Sequence, residues 1–370
     1  MTQSGISAVG IVATQNDCGI PIPPAVKPCC NRVLFGVVPA LVKAMRRRDF
    51  IKVVAGLAVT WPLAARAQAK RTYRLASLTA GSPVPSNSPS GKTLFSALAQ
   101  RGYTIGGNLE YQPYGAALQI ALLPQLAQDI AANKVDAAVV VGYLAAAAMK
   151  GTGVPTVVAG GAGDPVATGL ISSLAHPDGN ITGISDNAAT LSTKRLGLLK
   201  QAVPNIHRIA MLWNKSDLAM TLRYQASAGA AKALGVTVQP LGVGEPDDFD
   251  HAFTAMDLNP PDAIFMVTDP FTVLNRGRVF NYAVAHRLPA IYENDTYVRA
   301  GGLMSYGADL EESYSRAASL VECIFQGANS ADLPFEEPTR YRFAINLKAA
   351  KLIELELPPA VLALADQVIE

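Results

Sequence analysis

Cysteine is scarce in this chain and poorly placed for cross-linking. Of four cysteines, Cys18, Cys29 and Cys30 precede residue 45, which leaves Cys323 alone in the rest. No disulfide can then form within residues 46–370. There is no Cys-x-x-Cys pair, which argues against structural zinc and thioredoxin-like redox chemistry. Histidine is equally sparse. His176, His207, His251 and His286 are scattered, with no His-Glu-x-x-His pairing, so no metal site is expected from them. No Gly-x-Ser-x-Gly elbow offers a hydrolase nucleophile. No apolar run reaches the ~20 residues that a membrane-spanning helix needs. Charged residues make up only 16% and aromatics 7%, but half of the 370 residues are apolar. That composition excludes a disordered or collagen-like chain and allows roughly two domains, each with its own core.

Basic charge is lacking where a nucleic-acid binder would need it. Residues 1–67 hold eight Lys and Arg against two Asp and Glu, whereas the other 303 hold 23 against 27. A mildly acidic body cannot readily displace the counterions of a polyanion, so no nucleic-acid partner is expected. The N-terminal excess has an order of its own. Met45-Arg46-Arg47-Arg48-Asp49-Phe50-Ile51-Lys52 is a twin-arginine start, and the apolar run Val53–Leu63 follows it. That run is too short to span a bilayer and suits a signal-peptide core. Ala65-Arg66-Ala67 and Ala67-Gln68-Ala69 supply small-x-small cleavage sites. Residues 45–67 are therefore expected to be a twin-arginine export signal, cleaved near Ala67 or Ala69. Met45 is then the natural start, and residues 1–44 an over-extended reading frame. The mature chain is expected to be exported to the periplasm and soluble.

From residue 72, short β-rich runs alternate with helix-length segments. Ten strands are expected, from Tyr73–Leu78 to Gly302–Ser305, with helices over 91–101, 118–133, 143–150, 191–203, 218–234, 247–258, 271–286 and 309–326. This repetition implies an α/β fold with parallel sheets covered on both faces. Ala137-Ala138-Val139-Val140-Val141 is apolar without alternation, as a doubly buried strand should be. Breaks fall near residues 185–190 and 305–309. The expected organisation is two doubly wound, Rossmann-like lobes joined by a hinge. Lobe 1 covers 72–187, lobe 2 covers 188–306, and 307–370 returns to lobe 1 and forms the C-terminal segment. A ligand cleft would lie between the carboxyl ends of the strands of the two lobes.

Few motifs carry chemistry. Ser86-Asn87-Ser88-Pro89-Ser90-Gly91-Lys92-Thr93 nearly matches a phosphate-binding loop. Its first Gly is replaced by Ser86, and prolines remove N–H donors, so it reads as an ordinary loop into a helix. Gly160-Gly161-Ala162-Gly163-Asp164-Pro165 lacks the third glycine of a dinucleotide fingerprint, but it would let backbone approach a small ligand. Asp164 would either accept a hydrogen bond from a ligand amine or cap the next helix. The run Asp247, Asp248, Asp250 suits a helix N-terminus. Polar or aromatic residues recur where strands should end: Thr79, Tyr143, Ser185, Asn187, Asn214, Thr268, Asp269, Tyr292 and Asn294. One cleft would collect them. No catalytic group and no cofactor is nominated.

These segments taken together resemble the ABC-transporter substrate-binding proteins of the tryptophan/tyrosine-type family, which have a type I periplasmic-binding fold. The resemblance rests on the export signal, Gly163-Asp164-Pro165-Val166 with Gly169-Leu170-Ile171, and Gly179-Asn180-Ile181-Thr182-Gly183. It continues through Leu196–Lys200, Ile209–Asn214, Leu288–Tyr292, Gly301–Gly307 and Ile345–Pro359. It implies a binding protein rather than an enzyme. Two lobes of a monomer, the default for this role, would close around a small solute and deliver it to a membrane permease with its ATPase. The implied ligand is an aromatic or apolar amino acid or a similar small carboxylate. Thr79, Tyr143, Asp164, Asn187, Asn214, Asp269, Tyr292 and Asn294 are the expected contacts. Asp164 or Asp269 would hold an amine, and the tyrosines would pack on an apolar portion. Relatives often have Gly-Thr-Pro where this chain has Gly142-Tyr143-Leu144, which puts bulk at the pocket. A ligand sensor feeding a signalling partner would use the same fold but needs an output module. An exported enzyme would need a nucleophile or metal constellation.

Overall fold

The computed structural model describes residues 71–370. The expected export signal, the over-extended N-terminus and the cleavage sites lie outside the described residues.

The first lobe begins with β1 (Tyr73–Thr79), α1 (Pro89–Gln100), β2 (Leu109–Gly115) and α2 (Leu123–Ala132). It continues with β3 (Ala137–Val141), α3 (Tyr143–Met149), β4 (Thr156–Val158) and β5 (Ile181–Gly183). Its five strands run in the order β2-β1-β3-β4-β5, all parallel. β3 is buried at all but its last residue, as its unalternating apolar sequence requires, and β1 is buried from Leu75 to Thr79. The near-match to a phosphate loop is the start of α1. Ser88 Oγ accepts from the Gly91 N–H, and Pro89 takes the first helical position, where its missing donor costs nothing. A Cβ on Gly91 would stand 2.2 Å from the Pro85 carbonyl oxygen, so that glycine serves packing.

The second lobe comprises α4 (Ser192–Ala202), β6 (Arg208–Asn214), α5 (Leu218–Ala233), β7 (Thr237–Val243), α6 (Asp248–Leu258) and β8 (Ala263–Met266). Then follow α7 (Pro270–Ala285), β9 (Ala290–Tyr292), α8 (Asp295–Arg299) and β10 (Met304–Ala308). The acidic run does sit at the start of α6. There Lys215 and the N–H groups of Gly244 and Glu245 hold the Asp248 carboxyl down at about 2.

The chain then divides between the lobes. α9 (Leu310–Phe325) packs on α1 and beneath β3 and β4, in a core with Leu75, Leu98 and Val139. β11 (Tyr341–Asn346), α10 (Leu347–Leu352), α11 (Pro359–Leu362) and β12 (Gln367–Ile369) follow. β11 and β12 join the second sheet, whose order is β12-β11-β10-β9-β8-β6-β7. The return to the first lobe expected for 307–370 is thus limited to α9 and the segment after it. The β10–β11 pair is antiparallel, so the second sheet is mixed rather than purely parallel. β11 alternates Arg342 and Phe343 at its start, and it lies beyond the ten strands read from sequence.

Three segments cross between lobes, near residues 184–191, 308–310 and 336–341. They are bonded to one another. The Ser185 N–H donates to the Glu336 carbonyl, and the Asp309 N–H donates to the Arg340 carbonyl.

Candidate functional site

Between the lobes lies a cavity of about 390 Å³. Lobe 1 supplies the carboxyl ends of β1, β3 and β4: Thr79, Gly81 and Ser82, then Val141 and Gly142, then Ala159, Gly160 and Gly161, with Ser90 from the start of α1. Lobe 2 supplies the ends of β8 and β9, with Thr268, Asp269, Pro270, Val273 and Leu274 on one and Glu293, Asn294 and Thr296 on the other. Arg195 of α4, Arg223 of α5, and Asp186, Ala188, Ala308, Leu310 and Tyr314 complete it. Strand ends from both sheets thus converge on one space, as open α/β sheets arrange their ligand sites.

The glycines matter where the wall must be thin. Gly142 has φ +86°, and its Cβ would meet only Pro270 Cδ at 3.9 Å, across the gap. Gly161 has φ +76° and would press 3.4 Å from the Gly142 backbone. Side chains here would strain the backbone.

Three of the eight expected residues line the cavity: Thr79, Asp269 and Asn294. Asp269 is buried and caps α7. Its Oδ1 accepts from the Thr272 N–H at 2.8 Å, and its Oδ2 accepts from Asn214 Nδ2 at 2.6 Å. Burial raises its pKa above the ordinary carboxylate value, against the opposing hydrogen bonds from Asn214 and Thr272. Asn294 caps α8, its Oδ1 accepting from the Thr296 N–H and hydroxyl. Thr79 is buried, and its hydroxyl accepts from the Gly81 N–H at 3.1 Å.

The other five stand outside the lining. Asn214 lies behind Asp269 and orients it. Tyr292 is 1% exposed and stacks on Tyr297 in the core, centroids 4.8 Å apart, so its ring offers no face to a ligand. Asp164 is exposed and accepts from the N–H groups of Val166 and Ala167, closing a turn over 165–169; no helix follows it, so it neither lines the cavity nor caps a helix. Asn187 sits in the first crossing segment with φ +50°, its side chain donating to the Tyr341 hydroxyl. Tyr143 opens α3 and packs across the lobe boundary on Ala219, Met220 and Val267. Burial raises its pKa, with Asp217 adding to the effect. The aromatic ring on the cavity wall is instead Tyr314 of α9.

The main charged group of the site was not singled out from the sequence. Arg195 and Arg223 are 1% and 2% exposed, and Glu293 is 4% exposed between them. Arg223 Nη1 donates to Glu293 Oε2 at 2.7 Å, and its Nη2 donates to Asp186 Oδ2 at 2.6 Å. Arg195 Nη1 reaches Glu293 Oε1 at 3.3 Å and the Ala188 carbonyl at 2.6 Å, while its Nε donates to the Tyr306 carbonyl at 2.6 Å. Glu293 Oε2 also accepts from the Thr268 N–H at 2.8 Å. Burial disfavours the charged form of both guanidiniums and lowers the pKa of Arg195 on balance, whereas Asp186 and Glu293 more than offset it for Arg223 and raise its pKa. Such a group survives burial because nearly every charge has a partner. A signal was present in the sequence. Ser192, Arg195, Leu196, Leu199 and Ala202 form the buried stripe of α4, and Met220, Arg223, Ser227 and Ala231 that of α5. An arginine at a core position of an amphipathic helix needs a buried partner.

Residues 85–369 match the family of ABC transporter substrate binding proteins, and the chain belongs to that family. A tyrosine-binding protein of Clostridioides difficile (strain R20291) is 24% identical over 273 residues, covering 74% of this chain and 78% of the relative. Among solved structures, a conserved domain protein of Vibrio cholerae superposes with a TM-score of 0.74 at 23% identity, covering 80% of this chain and 100% of the other. A domain from Streptococcus pneumonia in complex with L-Trp gives 0.71 at 23% identity, with the same coverage. These likenesses establish the type I periplasmic-binding fold. Among the described residues no helix is long and apolar enough to cross a membrane.

Proposed function

We propose that this chain is the exported, periplasmic solute receptor of an ABC importer. It captures an aromatic or apolar amino acid, or a similar small carboxylate, by hinge closure, and passes it as a monomer to a membrane permease with its ATPase. The observation that carries this reading is the cavity itself. It is enclosed by strand ends of both lobes, has room for one amino acid, and combines buried charges with an apolar wall and one aromatic ring. The tyrosine-binding relative and the L-Trp complex support the ligand class. The family supports binding without chemistry, and export agrees with the twin-arginine segment at residues 45–67.

Thermal unfolding against a panel of amino acids and aromatic carboxylates tests it. A ligand that binds the folded state alone stabilises by RT ln(1 + [L]/Kd), about 2.7 kcal/mol at a hundredfold excess. A saturable shift for a compact amino acid or carboxylate is expected, with the compound recovered unaltered. A panel without any shift, or recovery of a converted product, contradicts the reading.

A further inference from the structure

The two lobes touch directly at two apolar points away from the crossings. In the first sheet, ordered β2-β1-β3-β4-β5, the edge strand β5 runs into the first crossing, and β2 is the opposite edge. The segment after β2 carries Leu118, which packs on the lobe 2 cluster that contains Phe249, Phe271 and Tyr297. Tyr143, just after the central strand β3, packs on Ala219, Met220 and Val267. These last three follow β6 and β8, whereas the crossings enter lobe 2 at α4, β10 and β11. Both contacts therefore lie on the arms of the hinge and not at its axis, so a rotation of the lobes pulls them apart.

The backbone that presents Leu118 is unusual. Ala117 and Leu118 have φ of +48° and +67°, a left-handed pair without a glycine. The Ala117 N–H donates to the Gly81 carbonyl at 2.9 Å and the Leu118 N–H to the Ala80 carbonyl at 2.8 Å, which pins the pair to the end of β1. A bulky residue in that conformation costs energy that its surroundings must offset, and the side chain finds its apolar contact on the other lobe. Small residues let the two surfaces approach. A Cβ on Gly81 would stand 3.3 Å from Pro270 Cβ, and one on Gly163 would stand 3.0 Å from Ala219 Cβ, both across the seam. Neither Leu118 nor Tyr143 lines the cavity.

We propose that Leu118 and Tyr143 form an apolar latch that holds the lobes together and raises the affinity for solute without touching it. This rests on the reading of the chain as a receptor that closes by hinge motion, and it adds a contribution to closure from the protein itself. Apparent affinity scales with the fraction of molecules in the closed, binding-competent form. Apolar surface buried between the lobes increases that fraction. The gain is the same factor for every solute, because the latch contacts none of them.

Small-angle scattering and calorimetric titration of the full chain test it, on Tyr143→Ala, Leu118→Gly and the conservative control Tyr143→Phe. Glycine suits the φ of residue 118, so that variant removes the contact without straining the loop. Melting curves establish that each variant is folded. Without added solute, Tyr143→Ala and Leu118→Gly should both have a larger radius of gyration than the parent. Their Kd values for L-tyrosine and L-tryptophan should rise roughly 5- to 20-fold, by the same factor for both, as the loss of one partly buried apolar contact implies. Tyr143→Phe keeps the ring and should match the parent in both measurements. An unchanged radius of gyration in both contact-removing variants overturns the proposal. So does a loss of affinity for one amino acid and not the other, which would put these side chains in the solute site. Failure of both amino acids to bind the parent counts against the proposed function, and the scattering comparison then decides the latch on its own.

Discussion

Asp217 shows how strongly a single position feels this interface. It caps α5, accepting from the Met220 N–H at 3.2 Å, and is 2% exposed. Burial, with Asp269 nearby, raises its carboxyl to about 6 from the ordinary 3.8. The folded state therefore holds this proton where the unfolded chain has lost it. At low pH the group is neutral in both states and costs nothing. As pH rises from about 4 to 6 stability falls, and above 6 the full penalty of the buried charge remains, on the order of 3 kcal/mol. Asp217→Asn keeps a capping acceptor and removes the charge. Its melting temperature should exceed that of the parent by a margin that grows between pH 4 and 6 and then levels off. A margin independent of pH would show that Asp217 does not titrate there. At this scale the sequence was partly legible. Asp269 and Asn294 were found from their places at strand ends. Glu293 was missed because it lies just past the end of β9, where the pattern of the strand no longer says which way a side chain turns, and because its partners Arg195 and Arg223 are distant in sequence.

At the scale of elements, the ten expected strands and the longer helices are all present with small changes at their ends, because their apolar runs are bounded by glycine, proline and caps. What escaped is short or depends on distant partners. α8 has five residues, β12 has three, and β11 finds its place through antiparallel pairing with β10. The end of β10, which leads into the crossing at residues 308–310, gives an element-scale test. A Cβ on Gly307 would lie 1.7 Å from the Glu293 carbonyl oxygen, a backbone atom that cannot swing aside. Gly307→Ala should cost roughly 1–3 kcal/mol, or more, and lower the melting temperature by several degrees. Gly229 sits exposed inside α5 with nothing within 4 Å of its would-be Cβ. Gly229→Ala should therefore raise stability by about 0.5–1 kcal/mol through helix propensity alone. Scanning calorimetry of the pair checks both, and equal effects would remove the special role given to the close approach at Gly307.

For the whole molecule, the cavity wall and the segments that cross between the lobes share residues. Arg195 bonds the carbonyls of Ala188 and Tyr306, next to two of the three crossings, and also faces the cavity. Tyr143 from lobe 1 meets Ala219, Met220 and Val267 of lobe 2, which places its bulk at the seam between the lobes and off the pocket wall. The two-lobed architecture was readable because strand–helix repetition specifies parallel α/β sheets. The charge group was not, because its members come from residues 186, 195, 223 and 293 and meet only on folding. The claim on which everything else depends is that this cavity takes up one amino acid. Isothermal titration of the full chain with L-tyrosine and L-tryptophan at several temperatures addresses it most directly. The account predicts saturable binding of at least one of them with a stoichiometry of one and a negative heat-capacity change, as apolar surface of both lobes is buried around the ligand. Absence of saturable heat for both, at concentrations up to the millimolar range, would contradict it.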